Sequence, residues 1–590
     1  MGDISRRRLL AWMAAGAAVP YQITYARGGK GAGTVRDALG ARFPGGEPDS
    51  VFPQSIMSAD PTATGVLLWT RIAPGAHRPR TPLRFEVARD RFFRRPVLAG
   101  EVAPEQIGPA SDYTVQVDLD GRLDSDERYF YRFVYGEQAS RTGRCRTAPA
   151  AGRLVARLSF ALLSCQDYTN GYYRAFAALA ARDDVDFVLH LGDFIYETAG
   201  DPSFQALPFA DRTLILPSGG QVALDLDDYR FLYRRYRSDR NFQRALEQHT
   251  FIVIQDDHET ANDCYWDGAR DTLGAPDHPY TTDPAFGNDP ARLRQLFLDA
   301  RRAWLEYVPA RVRVREDAAS PQDYVQLYRR LNFGSLVDLF LTDGRTFRDP
   351  HPCGEGSFGE RYLPFCDDWR NPGRSMLGQR QREWLIEGLL GSRTQWQAWG
   401  NQTFFGELSI GEGERRIPLN VDAWDGFAGE RAQITAALAE AGRRDLIVLT
   451  GDFHSYIAAE VRTDYSRQLL PRPGELIGAE FMTTSVTSAS GLDQLNAAIG
   501  RSQADPRLPL PLGNRLVQTQ NPHVALFDAA LHGYSVVTFT PFWCEWTAYP
   551  VDKNDPAADI TPRPWQRLRK WAELPGLDRR RLSLLRDRLR

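Results

Sequence analysis

Two different periodicities divide the chain. From about Phe52 to Thr147, short apolar runs alternate with turn residues, as in Gly65-Val66-Leu67-Leu68-Trp69-Thr70, Leu83-Arg84-Phe85-Glu86-Val87, Tyr113-Thr114-Val115-Gln116-Val117 and Tyr129-Phe130-Tyr131-Arg132-Phe133. Period-two alternation sends every second side chain to one face of a strand, and short strands at this spacing predict an antiparallel β-sandwich of the fibronectin or immunoglobulin type. From Leu158 onward, strands alternate with helices. Apolar runs of strand length fall at 158–163, 185–191, 250–254, 335–341, 395–399 and 446–449, and helical spacing recurs over 172–181, 380–390 and 429–441, with further helix over 288–307. This pattern predicts a layered α/β sheet sandwich. The stretch 263–290, rich in Asp, Gly and Pro, predicts an extended surface loop.

Each predicted strand of the second region runs into polar residues that form strands poorly but bind metal or phosphate well. The ends read Ser164-Cys165-Gln166-Asp167, Gly192-Asp193-Phe194-Ile195-Tyr196, Asp256-Asp257-His258-Glu259, Asp343-Gly344-Arg345, Gly400-Asn401-Gln402 and Gly451-Asp452-Phe453-His454. In open α/β sheets, ligands bind beyond the carboxyl ends of strands. One Gly-Asp turn is weak evidence, but the same feature after six strands points to one site.

Composition narrows the class. The 590 residues carry a formal net charge of -3 and no long basic tract, so the electrostatic footprint of a nucleic-acid-binding domain is missing. At the N-terminus, Ser5-Arg6-Arg7-Arg8-Leu9-Leu10 leads into an apolar run ending at Val19 and Pro20. This reads as a twin-arginine export signal, and the run is shorter than the roughly 20 apolar residues that span a bilayer. The expected partner is therefore the twin-arginine export machinery, with no stable membrane span after cleavage, and the destination the periplasm, the cell surface or the medium. The expected division is a signal and linker over 1–40, the β-sandwich over 41–150 and a catalytic domain over 151–590. Six cysteines lack C-x-x-C spacing, which excludes a zinc ribbon. Cys353 and Cys366 bracket an irregular stretch, and both a disulfide and two free thiols remain open.

The motif Gly192-Asp193-Phe194-Ile195-Tyr196 matches the G-D-x-x-Y of metallophosphoesterases. With Cys165 before it, Asp256-Asp257-His258-Glu259 after it and Gly451-Asp452-Phe453-His454 near the end, the chain resembles the alkaline phosphatase D (PhoD) family. The resemblance extends to Phe52-Pro53-Gln54-Ser55, Asp60-Pro61, Leu68-Trp69-Thr70-Arg71 and Asp422-Ala423-Trp424-Asp425-Gly426-Phe427. It implies a metallophosphoesterase core that hydrolyses small phosphoesters, monoesters or diesters, by a metal-bound hydroxide or oxide. A phospholipase D-type diesterase would share the same ligands, and a surface phosphate-binding module is the non-enzymatic alternative.

Phenolate and thiolate together suit a hard, oxidised ion, so Cys165, Asp193, Tyr196 and His454 look like a ferric (Fe3+) site, as the resemblance implies. Cys165 as a small buried apolar residue is the competing reading. Asp193 has two oxygens and can bridge two cations. The second set offers Asp257, Asn401 (or Gln402) and Asp452 where the wider superfamily uses Asn and His. Oxygen ligands favour hard cations, which points to Ca2+, and Asn262 or Asp256 could extend that shell. Arg345 is expected to clamp phosphate through its planar fork, with an ion pair to Asp343 as the alternative and Arg348 as a competitor. Two roles are open for His258, protonating the leaving group or orienting a ligand from behind. His190, His249, His278, His351 and His532 receive no role, and neither does Asp167. A serine nucleophile is disfavoured because Ser164 and Ser455 lack a G-x-S-x-G elbow.

Overall fold

The computed structural model of the chain describes residues 23–25 and 48–578, except 202–203, 206–208, 316, 412, 466–473, 492, 494–509 and 575. The twin-arginine segment lies outside the described residues. The main strands of the N-terminal region are β1 (Ile56–Thr62), β2 (Gly65–Arg71), β3 (Leu83–Ala88), β4 (Pro96–Val102), β5 (Thr114–Asp118), β6 (Arg128–Tyr135) and β7 (Gly143–Arg146). Their alternation is the cause of the sandwich. Tyr131 and Phe133 of β6 point inward with Phe85, Val87, Leu68 and Val117, while Phe130 and Arg132 are half-buried on the other face.

The sandwich is not closed on itself. β1 pairs in parallel with β10 (Thr250–Val253), so β1, β2 and β5 continue the same eleven-stranded sheet that carries β8 (Leu158–Leu163) and β9 (Phe187–His190). The reason lies in strands that are apolar on both faces: Ile56 and Leu68 pack into the sandwich, whereas Met57, Ala59 and Trp69 pack into the larger core beside it.

A second sheet of seven strands runs in the order β11 (Arg329–Phe333), β12 (Val337–Leu341), β13 (Trp396–Gly400), β14 (Leu446–Thr450), β16 (Leu476–Met482), β15 (Tyr456–Arg462) and β17 (Val524–Asp528). The two sheets face each other across Leu162, Leu189 and Ile252 on one side and Leu339, Ala398 and Ile447 on the other. Helices close both outer faces. Arg174–Ala180, Leu226–Tyr236, Arg240–Gln248 and Pro290–Tyr307 cover the first sheet, and Gly378–Gly391 and Ala428–Glu440 cover the second. The result is a four-layer α/β/β/α sandwich, built because successive residues of β8, β12 and β14 face opposite cores: Ala161 and Leu163 outward, Phe160 and Leu162 inward.

One expectation changes. The stretch 263–290 is not a plain surface loop, because Tyr265–Asp267 and Thr272–Gly274 form a hairpin that buries Trp266 and Leu273 in the main core. The run 335–341 is the second half of a hairpin, with Gly334 at φ 66° turning β11 into β12. Cys353 and Cys366 form a disulfide, which closes a loop carrying Arg361 and Tyr362. Among the described residues no helix is long and apolar enough to cross a membrane.

Candidate metal centre

The carboxyl ends of β8, β9 and β10 meet those of β12, β13 and β14. The turn after β8 is tied to the turn after β9 by the Cys165 N–H donating to the Gly192 carbonyl (3.2 Å) and the Gln166 N–H to the Asp193 carbonyl (3.1 Å). Both Gly-Asp motifs need their glycine for close approach. A Cβ on Gly192 would stand 2.4 Å from Asp256 Cβ, and one on Gly451 would stand 2.7 Å from Ser164 Oγ.

Four of the candidate ligands adopt left-handed backbone: Cys165 (φ 58°), Asp193 (φ 54°), Asp452 (φ 67°) and His454 (φ 46°). For an L-residue this conformation costs roughly 1–2 kcal/mol, less for Asp, and strain of this kind collects where function demands an orientation. Here it brings side chains from three strands together. Ligand atoms of Cys165, Asp193 and His454 lie within 4.8 Å of one another, as do those of Asp193, Asp257 and His258, and those of Asp256, Asp257 and Asp452. Asp193 belongs to two of the three groups.

The donor atoms are prepared for cations. His454 donates through Nδ1 to the Ala489 carbonyl (2.7 Å), which leaves the Nε2 lone pair facing the site. The Tyr196 hydroxyl lies 3.0 Å from Asp193 Oδ2 and 3.2 Å from His454 Nε2. One phenol proton serves one of these acceptors; a cation would serve both. Asp193 Oδ1, Asp256 Oδ2 and Asn401 Oδ1 are buried without a partner, a condition that costs about 1–3 kcal/mol per group unless something binds there. Gln402 is fully engaged with Gln255, Thr342 and Gly344, so of the two amides after β13 it is Asn401 that keeps an open oxygen. Burial, opposed by His258 and reinforced by Asp257 and Asp256, pushes the Asp193 carboxyl well above its ordinary range. Burial and then the Asp193 charge push the Cys165 thiol up in the same way. A carboxylate and a thiolate this deep need positive charge beside them, and a bound metal ion deprotonates a coordinating thiol. The residues present therefore fit a pair of cations.

Arg345, expected to clamp phosphate, sits at the end of β12 among carboxylates. Its guanidinium is buried and already held by carboxylates: Nε by Asp256 (2.5 Å), Nη1 by Asp422 (2.6 Å) and Nη2 by Asp452 (2.7 Å), with Asp257 at 3.6 Å. The alternative partner Asp343 takes only the Arg345 backbone N–H (3.1 Å). Arg348, the competitor for that role, is likewise buried against Asp422 (2.6 Å) and the Asp263 carbonyl. His258 donates from Nδ1 to the Glu197 carboxylate (2.7 Å), stacks on Tyr196 at 3.9 Å and lines the cavity, so it meets the geometry of either proposed role. Of the histidines left without a role, His190 hydrogen-bonds Gln166 inside the core, and burial lowers its pKa to about 3. His351 is different: it binds Asp422 at 2.8 Å at the edge of the site.

Sequence reasoning also passed over Glu259. Its carboxylate accepts from the backbone N–H groups of Phe194 (2.7 Å), Asp256 (2.9 Å) and Asp193 (3.2 Å), pinning two ligand turns together. The signal was present in Asp256-Asp257-His258-Glu259, where a fourth acidic or polar residue follows the ligands. Above the site opens a cavity of about 350 Å³, with Asp193, Asp257, Asp452 and His454 in its floor.

This arrangement belongs to a hydrolase that acts on phosphoesters with the help of metal ions. Residues 160–547 match the family model for PhoD-like phosphatase, and residues 41–149 match that for the PhoD-like phosphatase N-terminal domain. The chain belongs to the PhoD-like phosphatase family. It is 31% identical over 522 residues to "Alkaline phosphatase D" of Bacillus subtilis (strain 168), which covers 87% of this chain and 80% of the relative. It is also similar to a solved structure titled "Structure of PhoD", with a TM-score of 0.74 and 26% identity over 92% of this chain and 94% of that one.

Proposed function

We propose that this chain hydrolyses phosphoesters at two adjoining sites, a ferric one formed by Cys165, Asp193, Tyr196 and His454 and a calcium one formed by Asp257, Asn401 and Asp452, bridged by Asp193. The observation that carries the proposal is Asp193 itself, shared between two ligand groups and holding one buried oxygen free. Bound cations would supply Lewis acidity, a water nucleophile of lowered pKa and neutralisation of charge on the phosphoryl oxygens. The chain's own part is orientation. Ala489 fixes the His454 tautomer, Glu259 holds the Asp193 and Asp256 turns, and Glu197 sets the His258 ring where it can pass a proton to a leaving oxygen at the cavity floor. Purified protein is expected to contain iron and calcium in stoichiometric amounts, and chelation is expected to abolish hydrolysis. Elemental analysis that found zinc and no iron would refute the metal assignment.

The export reading rests on Arg6-Arg7 ahead of a short apolar run, with residues 41–150 and 151–590 as the exported units. Arg6→Lys with Arg7→Lys is expected to strand the folded protein in the cytoplasm, read by cell fractionation. Undiminished export of the double variant would remove this assignment.

A further inference from the structure

The cavity above the metal centre has two unlike sides. Its floor is acidic, and among the described residues that line it there is no lysine or arginine. Arg345 and Arg348 lie buried, engaged by carboxylates. Apolar residues from separate parts of the chain line the cavity wall as well, Phe204, Phe453, Phe527 and Ala529 among them, beside the polar Asn262, Tyr362, Asn420 and Ser455. Phe453 stands between the ligands Asp452 and His454, and its ring lies 6.4 Å from that of Phe527 at an interplanar angle of 56°. Phe527 is anchored from below, since β17 packs it against Ile457 and Met482. The side chains next to the two rings are small: Ala529 packs against the same cluster as Phe453, and Gly491 lies beside it.

Such a wall selects what is attached to the phosphate. The phosphoryl group itself must be held at the floor, where the candidate ligands converge, so the wall faces a substituent on it. Phe453, Phe527 and Ala529 offer no side-chain donor or acceptor, so a polyol or sugar pressed against them, away from Asn262, Tyr362, Asn420 and Ser455, would lose its hydrogen bonds to water without replacement, at a cost of about 1–3 kcal/mol per group. A flat apolar group gains instead, both from area removed from water and from edge-to-face packing against tilted rings at 4.5–7 Å spacing. We propose that Phe453 and Phe527, with Ala529 beside them, form a subsite for an aromatic ester group of the substrate, making them specificity-determining residues for the hydrolysis. This rests on the two-cation reading of the floor, because the floor orients the phosphorus that carries the group.

Phosphonates test the wall without being hydrolysed, because their carbon–phosphorus bond replaces the ester link. Phenylphosphonate and methylphosphonate are compared as competitive inhibitors of the metal-loaded wild-type enzyme, at a pH where both are dianions, beside inorganic phosphate. Phenylphosphonate is expected to bind at least about tenfold more tightly than methylphosphonate. Phe527→Leu, which removes a ring, and Ala529→Leu, which fills the space beside it, are each expected to reduce that ratio severalfold while inhibition by inorganic phosphate shifts far less. Equal inhibition of the wild-type enzyme by the two phosphonates overturns the proposal whether or not either variant folds. So does an unchanged ratio in both variants when circular dichroism shows them folded. If the loaded enzyme instead fails to hydrolyse any ester and inorganic phosphate does not bind, the reading of the floor falls first, a result distinct from equal inhibition of a working enzyme.

Discussion

Asp193→Asn is expected to abolish phosphoester hydrolysis and to leave the fold in place. The substitution keeps the size of the side chain and one oxygen, and Asp193 makes only one side-chain hydrogen bond, from Tyr196. What it removes is the negative charge shared by two ligand groups. The expected loss is about a thousandfold or more, because transition-state charge stabilisation by metal ions supplies several kcal/mol and each 1.4 kcal/mol is tenfold. Asp167→Asn provides the comparison. Asp167 is also buried, but its oxygens accept from Thr169, Asn170 and Gln205, so it braces the turn that carries Cys165 and points at no ligand group. A change in such a support costs about 10–100-fold. Both variants are purified, checked by circular dichroism, and assayed on a chromogenic monoester and diester alongside their metal content. A folded Asp193→Asn protein that keeps both metals and turns over either ester at near wild-type rate would falsify the bridging assignment.

The legible part of this molecule was the part written in periodicity. β8, β12 and β14 announced themselves because each is a mostly apolar run that ends in polar residues, as strands buried on both faces between two layers tend to be, although β8 carries Ser159 and β12 the buried Asp338. The candidate ligands could be picked out for the same reason, since Cys165, Asp193 and His454, which the fold brings together, each follow such a run within a few residues. The junction between the N-terminal strands and the main sheet was not, because the pairing of Ser58 with Thr250 joins residues 192 apart and leaves no local mark. Nor were the helices Leu226–Tyr236 and Arg240–Gln248, whose arginine-rich sequences obscure an apolar stripe of Tyr229, Leu232, Tyr233, Phe242 and Leu246. What the strand-end position of Arg345 did not show is the set of carboxylates around it. A guanidinium there reads as a phosphate clamp only if its fork is free, and the carboxylates that occupy it come from three other turns.

Arg345→Met is expected to destabilise the protein by about 3–5 kcal/mol, because removing one partner of a buried ionic cluster leaves the others as uncompensated charge. The cluster is unusually demanding. Asp256, Asp422 and Asp452 each take a different nitrogen of one buried guanidinium, at 2.5–2.7 Å, and Asp422 reaches Arg348 and His351 besides. Arg345→Lys restores the charge without the geometry, since a compact ammonium on a flexible stem cannot direct three planar N–H groups to three carboxylates. It should fall between wild type and the methionine variant. Bound cations would share the same carboxylates, so the measurement is urea denaturation of chelator-treated and metal-loaded protein in parallel, with the larger loss expected after chelation. A phosphate clamp makes the opposite forecast: denaturation midpoints would stay where they are, and inhibition by inorganic phosphate would weaken in both variants. Unchanged midpoints with weakened phosphate binding would return Arg345 to the substrate; a fall in stability that is worst without metal would fix it as the cation that holds the acidic ligands in register.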